Sequence, residues 1–228
     1  AESVNDVKRQ RRFTVVIGNP PYSGISSNMS EEAQRLVDAY KIVDGVPLKE
    51  KKLWLQDDYV KFTRKAQTLI DSSGAGVLGF ITNHSYIDNP TFRGMRQSLI
   101  KTFGFLSVID LHGNTTRSER PPQGVTDKNV FDIQQGVAIC LAVRRGHSSR
   151  IQHVDLWGLR ERKYLWLSEN TVCKSSFLTI YPDSPYYFLK PHNTDFRSEY
   201  DSGWKINEAM PLNCAGFITA RDHFVVDM

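Results

Sequence analysis

The sequence predicts an α/β protein, because short runs of β-branched and apolar residues alternate along the chain with segments of helical periodicity. The predicted strands are Phe13–Ile17, Gly76–Thr82, Phe105–Leu111 and Gly136–Arg145, and the predicted helices are Glu31–Tyr40, Leu55–Ile70 and Phe92–Phe103. Alternation of this kind is typical of parallel crossovers, in which a helix returns the chain to the same end of a sheet.

The first strand and the longest helix have the clearest patterns. Phe13–Ile17 is rich in β-branched residues and is followed by Gly18 and two prolines. In Leu55–Ile70 the apolar residues are separated by steps of 4, 3, 4 and 3, which is the spacing of one helix face. That pattern leaves Lys61 outside the buried stripe, and Ser72-Ser73-Gly74 predicts where the helix ends.

The last two strands are expected to run antiparallel. The loop between them, Gly113–Asn129, contains Pro121, Pro122 and Gly124 and shows no helical pattern. It therefore lacks the crossover helix that usually joins a parallel pair. After about Trp157 the periodicity weakens, and we expect a domain boundary near residue 160.

Composition is typical of a globular protein. The chain has 228 residues, of which 40% are apolar and 24% charged, and 29 basic against 25 acidic residues give a net charge of +4. The longest apolar run, Val137–Val143, is far shorter than the roughly 20 residues of a membrane-spanning helix, so no membrane partner is expected. The three cysteines, Cys140, Cys173 and Cys214, argue against a disulfide framework and favour a cytoplasmic location.

Two other patterns are weaker indications of a site. Gly74–Gly79 fits G-x-G-x-x-G, but the dinucleotide motif follows a strand and opens a helix, whereas here a helix comes first. The segment is therefore interpreted as a helix end. His84 and His112 each follow a predicted strand, where α/β sheets place their sites. They belong to no metal-binding sequence motif, so no metal is expected and polar packing in loops is favoured over a ligand or catalytic role.

The strongest candidate for a site is the run Gly18-Asn19-Pro20-Pro21-Tyr22, directly after the first strand. The carboxyl end of a strand is the usual place for a site in an open α/β sheet. Both prolines fix φ, and a residue before proline is pushed to an extended conformation, so this corner is rigid. One interpretation is a purely structural turn, in which Asn19 is a turn residue.

The other interpretation is methyl transfer to a planar exocyclic amine, whose lone pair is delocalised into its ring. The side-chain carbonyl of Asn19 and the backbone carbonyl of Pro20 can accept the two N–H groups and so localise the lone pair on nitrogen. The ring of Tyr22 offers a face on which a base stacks, worth about 1–3 kcal/mol. A base in a duplex reaches such a pocket only when it is flipped out.

The string 16–23 resembles motif IV of the amino-group methyltransferases that use S-adenosylmethionine. The order of the later elements is similar to that of the gamma-class N6-adenine DNA methyltransferases. Residues 129–139 resemble motif VIII, and its first phenylalanine, here Phe131, lies in that family opposite the motif IV tyrosine on the flipped adenine. The resemblance implies a catalytic corner of Asn19, Pro20, Pro21 and Tyr22, with adenine held between Tyr22 and Phe131.

Longer strings, 51–60, 82–93 and 130–135, look like large single-chain restriction-modification proteins of the Type ISP and Type IIG kind. The resemblance implies the C-terminal half of a Rossmann-like methyltransferase sheet, with motifs IV to VIII, in residues 1–160. Residues 161–228 would form a linker and the start of a target-recognition domain. The family's glycine-rich cofactor motif lies well before motif IV. The chain is therefore expected to be a fragment that lacks most of the cofactor pocket and is inactive by itself.

Double-stranded DNA and the remainder of a parent polypeptide are the partners that the resemblance implies. The loop 115–128 precedes Phe131 and carries Arg117, Arg120 and Lys128, which we expect to contact phosphates, although a solvated charged face is the alternative. Strands missing from a fragment would leave an open sheet edge. Such an edge favours pairing, so a homodimer is also expected.

Two other functions stay open. Enzymes that methylate a glutamine side chain in release factors also carry Asn-Pro-Pro-Tyr, but they need neither the stacking phenylalanine of motif VIII nor a recognition domain. A chain that only binds DNA or scaffolds its parent is the non-enzymatic alternative.

Overall fold

The computed structural model describes residues 12–22, 24, 26–49, 53–117, 119–146, 149–173 and 176–212. The chain divides into two units, residues 1–191 and residues 192–228. The described strands of the first unit are β1 (Val15–Gly18), β2 (Ile42–Val43), β3 (Val46–Pro47), β4 (Gly76–Asn83), β5 (Phe105–His112), β6 (Val137–Arg144), β7 (Arg150–Asp155) and β8 (Leu178–Ile180). Its α-helices are α1 (Glu31–Asp38), α2 (Asp58–Ser73), α3 (Arg93–Thr102) and α4 (Arg160–Glu169), and its 3-10 helices are Leu53–Gln56, His84–Ile87 and Pro90–Phe92. The second unit contains α5 (Arg197–Ser202) and α6 (Ile206–Ala209).

The main sheet has six strands in the order β1-β4-β6-β5-β7-β8. The pairs β1–β4 and β5–β7 are parallel, whereas β6 is antiparallel to both of its neighbours. The predicted α/β class and the antiparallel pairing of the last two predicted strands are therefore confirmed. Because β6 runs against the others, its first residue lies at the edge where β1, β4 and β5 end, and we call this the carboxyl edge of the sheet.

The two faces of the sheet bury different side chains. Alternate residues of β4, β5 and β6 join the larger hydrophobic core with α2 and α3, including Leu78, Phe80 and Val108. The intervening residues form a smaller cluster with the loop before β6 and with Trp166 and Leu167 of α4. Helices therefore cover both faces, as an α/β sheet requires.

The longest helix differs from its predicted boundaries and buried stripe. It begins at Asp58, because Leu53–Gln56 forms a 3-10 helix and Asp57 takes the N-cap position. It ends at Gly74, which adopts a left-handed conformation with φ 78°. Lys61, predicted to lie outside the stripe, is buried because its Nζ donates to the carbonyl of Asn28 at 2.6 Å.

The region after residue 150 contributes more to the first unit than its weak periodicity suggested. β7 and β8 extend the sheet, α4 packs on its second face, and the unit continues to Pro191. The predicted division of function near residue 160 stays a prediction. The segment predicted to form a linker and the start of a target-recognition domain, residues 161–228, therefore begins in the first unit and extends into the second, and residues 213–228 lie outside the described residues.

One edge of the sheet is open in the part of the chain that the structure describes. β1 pairs there with β4 alone. Val15 and Ile17, on the face of β1 opposite to Val16 and the larger core, are 56% and 79% exposed. Apolar side chains on an unpaired edge favour association with another strand. The homodimer predicted from this edge stays a prediction.

The described cysteines and helices agree with the composition. Cys140 and Cys173 are free thiols, and Cys214 lies outside the described residues. Over the described ranges, every helix is too short or too polar to cross a bilayer.

Close backbone contact fixes α3 against the segment after α1. A Cβ at Gly94 would lie 2.0 Å from the carbonyl oxygen of Tyr40 and 2.9 Å from that of Ile42. Neither oxygen belongs to a flexible side chain, so the helix itself would have to move. Only glycine allows this approach.

Gly94→Ala should therefore lower the free energy of unfolding by about 3 kcal/mol, the cost of severe overpacking. It should do so although alanine has the better helix propensity, by about 1 kcal/mol. Urea unfolding followed by circular dichroism measures the difference, with Lys101→Ala, an exposed change in the same helix, as the control. Equal stability of the two variants would show that α3 is free to shift.

Candidate active site at the carboxyl edge of the sheet

The corner Asn19–Tyr22 follows β1 directly and turns the chain across the end of β4. Asn19 and Pro21 are exposed, Pro20 is buried and Tyr22 is half-buried. The hydroxyl of Tyr22 lies 2.7 Å from Asn19 Oδ1 and 3.1 Å from the carbonyl oxygen of Ile81, so it can donate to either. This contact fixes the asparagine side chain and the tyrosine ring relative to the sheet.

Burial raises the pKa of Tyr22 to about 12, so its hydroxyl keeps its proton and acts as a donor at neutral pH. A carbonyl oxygen has two lone pairs, and Tyr22 uses at most one of those on Asn19 Oδ1. The other can accept a hydrogen bond from a bound group. The corner thus presents an oriented acceptor toward solvent.

Phe131 is held at the same edge by a turn centred on Asn129. The Asn129 amide donates to the carbonyls of Gly113 at 3.1 Å and Gln135 at 2.7 Å, and its Oδ1 accepts from the Phe131 N–H at 2.9 Å. Phe131 packs in the smaller hydrophobic cluster together with Ile81.

The structure brings Tyr22 and Phe131 to the same edge of the sheet but places their rings in different clusters. Tyr22 packs against the larger core and Phe131 in the smaller one. Ile81 connects the two regions, because its carbonyl faces the Tyr22 hydroxyl and its side chain packs against the same small cluster as Phe131.

Helix α4 holds the backbone just before Phe131. Lys163 donates to the carbonyl of Lys128 at 2.6 Å, Arg160 to that of Asn129 at 3.0 Å, and Tyr164 to that of Val130 at 2.7 Å. Three consecutive carbonyls are thus bonded by residues on adjacent turns of one helix. This arrangement restricts the position of Phe131.

Lys163 is fully buried and has a complete set of partners. Its ammonium also donates to the carbonyl of Leu111 at 2.7 Å and pairs with Asp127 at 2.7 Å. The Asp127 carboxylate in turn accepts from the N–H of Gly158 at 2.9 Å. Removal of one partner from such a pair leaves an uncompensated buried charge.

A cavity of about 280 Å³ opens at the carboxyl edge of the sheet, lined neither by residues 19–22 nor by Phe131. Its lining includes Gly24, Asp57, Asn83, Asn114 and Gln135, which come from the loop after the corner, the start of α2 and the ends of the strands. The Asp57 carboxylate accepts from the Gly24 N–H at 3.1 Å and so ties that loop to α2.

Tyr59 also lines this cavity, and its hydroxyl is buried with no hydrogen-bond partner among the described residues. Burial raises the pKa of Tyr59 well above its ordinary value, so the hydroxyl remains a donor. An unsatisfied buried donor is costly unless a bound molecule pairs with it.

The two histidines singled out in the sequence meet at the ends of β4 and β5. His84 Nδ1 lies 3.0 Å from Asp110 Oδ1, and His112 lies 3.2 Å from Glu119 through Nδ1 and 2.9 Å from Asp155 through Nε2. The predicted polar packing of both side chains therefore occurs, but within one cluster of carboxylates.

The carboxylates determine how His112 ionises. Burial alone would lower its pKa, but the hydrogen bonds to Asp155 and Glu119 and the nearby Asp110 raise it to about 9. Burial would likewise raise the pKa of each of these three carboxyls, yet their histidine partners hold all three below the ordinary range. Trp157 stacks on the His112 ring, with the centroids 3.3 Å apart.

The candidate phosphate-binding residues are exposed but differ in their partners. Arg117 lies 3.4 Å from Asp88, which also pairs with Lys190. Arg120 lines a second cavity, of about 380 Å³, next to the histidine cluster. The side chain of Lys128 is exposed, while its backbone N–H donates to the carbonyl of Gly158 at 3.0 Å. Whether these residues bind DNA stays a prediction.

Several residues of this region were not evident from the sequence. Asp110, Glu119 and Lys163 lie in segments interpreted as a strand, a loop and an aperiodic region, and each acquires its role only through partners distant along the chain. The sequence carries no local pattern that indicates these contacts, because the helix around Lys163 was itself not predicted.

Comparison with known proteins identifies the family of this chain. A sequence model for the Eco57I restriction-modification methylase family matches residues 1–116. No curated protein sequence matches the chain.

Solved structures are similar over most of the chain. The DrdV–DNA complex, determined by cryo-electron microscopy, matches 81% of it at 27% identity with a TM-score of 0.64. The ATP-dependent Type ISP restriction-modification enzyme LlaBIII bound to DNA matches 86% at 25% identity with a TM-score of 0.68. A nuclease-deletion mutant of the Type ISP enzyme LlaGI, in complex with a DNA substrate mimic, matches 86% at 24% identity with a TM-score of 0.70 and supports the fold alone. The chain spans 19%, 14% and 20% of these three chains.

The six-stranded sheet thus has a Rossmann-like methyltransferase fold. The chain belongs to the Eco57I restriction-modification methylase family.

Lys163→Met should lower the free energy of unfolding by about 3–5 kcal/mol, because Asp127 and two buried carbonyls lose their partner. Denaturant unfolding measures this loss. The double variant Lys163→Met/Asp127→Asn should recover part of it, since the buried charge is then removed. Arg162→Met, an exposed neighbour in α4, is the control. A Lys163 variant as stable as this control would contradict the proposed strength of the pair.

Proposed function

We propose that this chain is the catalytic segment of a restriction-modification protein that methylates N6 of an adenine flipped out of duplex DNA. The observation that carries the proposal is the exposed corner Asn19–Tyr22 at the carboxyl edge, with Phe131 held at the same edge. Family membership supports methyl transfer, and the DNA in the related complexes supports a DNA substrate.

The corner suits the adenine amine for a chemical reason. Asn19 Oδ1 and the Pro20 carbonyl would each accept one N6–H, which draws the nitrogen lone pair out of conjugation with the ring. Tyr22 is already bonded to Asn19 and to the end of β4, so the acceptor is oriented before the base arrives. Preorganised dipoles of this kind stabilise a transition state most effectively.

The Tyr22 and Phe131 rings would bind the two faces of the adenine. They lie in different hydrophobic clusters joined through Ile81, an arrangement compatible with a base entering between them. Stacking on each aromatic ring contributes about 1–3 kcal/mol, which offsets part of the cost of flipping.

S-adenosylmethionine is the methyl donor in this proposal, and it supplies an electrophilic methyl group when bound. The described residues do not fit this cofactor by themselves. Their G-x-G-x-x-G run, Gly74–Gly79, leads from α2 into β4, so no helix N-terminus follows it. We therefore propose that other polypeptide supplies the cofactor pocket and that this chain alone does not methylate DNA.

Two alternatives remain. A protein-glutamine methyltransferase would use the same corner but does not account for Phe131 and the α4 contacts that hold it. A DNA-binding segment without catalysis would not require the oriented Asn19 carbonyl. The substrate that receives the methyl group separates all three.

Asn19→Ala in the complete gene product should reduce methyl transfer at least about 100-fold, because one of two transition-state acceptors is lost. The assay uses S-adenosylmethionine with a labelled methyl group and DNA free of N6-methyladenine, and the label is identified after digestion to nucleosides. Asn28→Ala, on the exposed loop after the corner, is the control. Label in protein glutamine, or full activity without Asn19, would contradict the proposal.

Arg120→Ala should reduce the slope of log affinity against log salt for duplex DNA by about one, as expected for one lost phosphate contact. Arg117→Ala should have a smaller effect, because Asp88 already pairs with that guanidinium. Fluorescence anisotropy across a salt series gives the slopes. Lys101→Ala, at the end of α3 that leads into β5 and away from the carboxyl edge, is the control. Unchanged slopes for both arginine variants would remove this loop from the DNA interface.

A further inference from the structure

We propose that His84, His112 and Glu119, with Asp110 beside them, bind one divalent transition-metal ion of the zinc type. His84 and His112 follow β4 and end β5, and Glu119 comes from the loop that carries Arg117 and Arg120. One ligand atom from each of His84, His112 and Glu119 lies within 4.8 Å of the other two. Two imidazoles and a carboxylate are a common ligand set for zinc.

The spacing of the donor atoms suits a single ion. Glu119 Oε1 is 3.2 Å from His112 Nδ1 and 3.9 Å from His84 Nδ1, and Asp110 Oδ1 is 3.0 Å from His84 Nδ1 and 3.7 Å from His112 Nδ1. Zinc–ligand bonds of about 2.1 Å place neighbouring donors about 3.0–3.4 Å apart. Small movements of the side chains would therefore bring all four atoms into coordination distance.

The charges at this point also favour a cation. Three carboxylates, Asp110, Glu119 and Asp155, converge on the two histidines, and Asp110 is buried. Over the ranges that the structure describes, their ion-pair partners are histidines and not lysine or arginine. Asp88, by contrast, is paired with Arg117 and Lys190.

The outer contact of His112 matches that of a metal-binding histidine, whereas the outer contact of His84 would have to change on binding. His112 Nε2 faces the Asp155 carboxylate at 2.9 Å, the typical partner for the ring nitrogen that does not bind metal. The Asn114 amide faces His84 Nε2 at 3.1 Å. Metal at His84 Nδ1 would move the ring proton to Nε2, and the Asn114 amide would then turn its oxygen toward the ring. That oxygen, Oδ1, now accepts a hydrogen bond from the backbone N–H of Arg117, and this bond would break.

The cavity of about 380 Å³ is lined by His84, His112 and Glu119 and provides the entry path for the ion. Binding would tie the loop around Glu119 to the ends of β4 and β5. The ion would therefore order the loop that carries Arg117 and Arg120. No sequence motif indicates this site, because its ligands come from a 3-10 helix, a strand and a loop rather than from one short segment.

Zinc chloride titrated into chelator-treated protein tests the site, with calorimetry for affinity and elemental analysis for stoichiometry. We expect one saturable zinc per chain and a higher unfolding temperature in its presence. Glu119→Gln and His84→Gln should each weaken binding at least about tenfold. Glu161→Gln, an exposed change on α4, should bind like the wild type.

The wild-type measurement decides the question even if a variant fails to fold. Absence of a saturable one-to-one event would overturn the proposal, as would folded Glu119 and His84 variants that bind zinc like the control. Neither result depends on methyl transfer, so failure of the metal site and failure of the proposed function are distinguishable.

Discussion

The antiparallel position of β6 between β4 and β5 is the constraint on which the candidate site depends. Val137, the first residue of β6, is in register with Asn83 at the end of β4 and with His112 at the end of β5. The segment between β5 and β6 therefore begins and ends at the carboxyl edge. This connection places Phe131 at the edge where the corner after β1 lies, and it places the loop with Glu119 over His84 and His112.

Rigid connections at this edge come from three sources that act on different segments. The prolines and the Tyr22 hydroxyl fix the corner, the Asn129 turn fixes the backbone at Phe131, and α4 bonds the three carbonyls before it. The helix that makes these contacts, α4, follows the motifs that the family resemblance covers. A helix after the sheet motifs thus supports the position of a residue proposed to touch the substrate.

Local patterns predicted much of the fold, because strands and helices leave periodic traces in hydrophobicity. The boundaries of the helices and strands of six or more residues between residues 58 and 144 agree with the predicted ones within a few residues. The antiparallel pairing of β5 and β6 followed from the absence of a crossover helix between them. The burial of Lys61 was not predictable from the hydrophobic periodicity of the helix, because it depends on a hydrogen bond to the carbonyl of Asn28 in another segment. The cluster of His84, Asp110 and Glu119 was likewise not predictable from local pattern. His84 and Asp110 are 26 positions apart along the chain, and Glu119 lies in a loop without periodicity.

A structure of the protein bound to its target duplex tests the central claim most directly. The account predicts one adenine outside the helical stack, between the Tyr22 ring and Phe131, with its N6 within hydrogen-bond distance of Asn19 Oδ1 and the Pro20 carbonyl. A complex in which every base stays stacked, or in which the extruded base lies away from the corner, would contradict it.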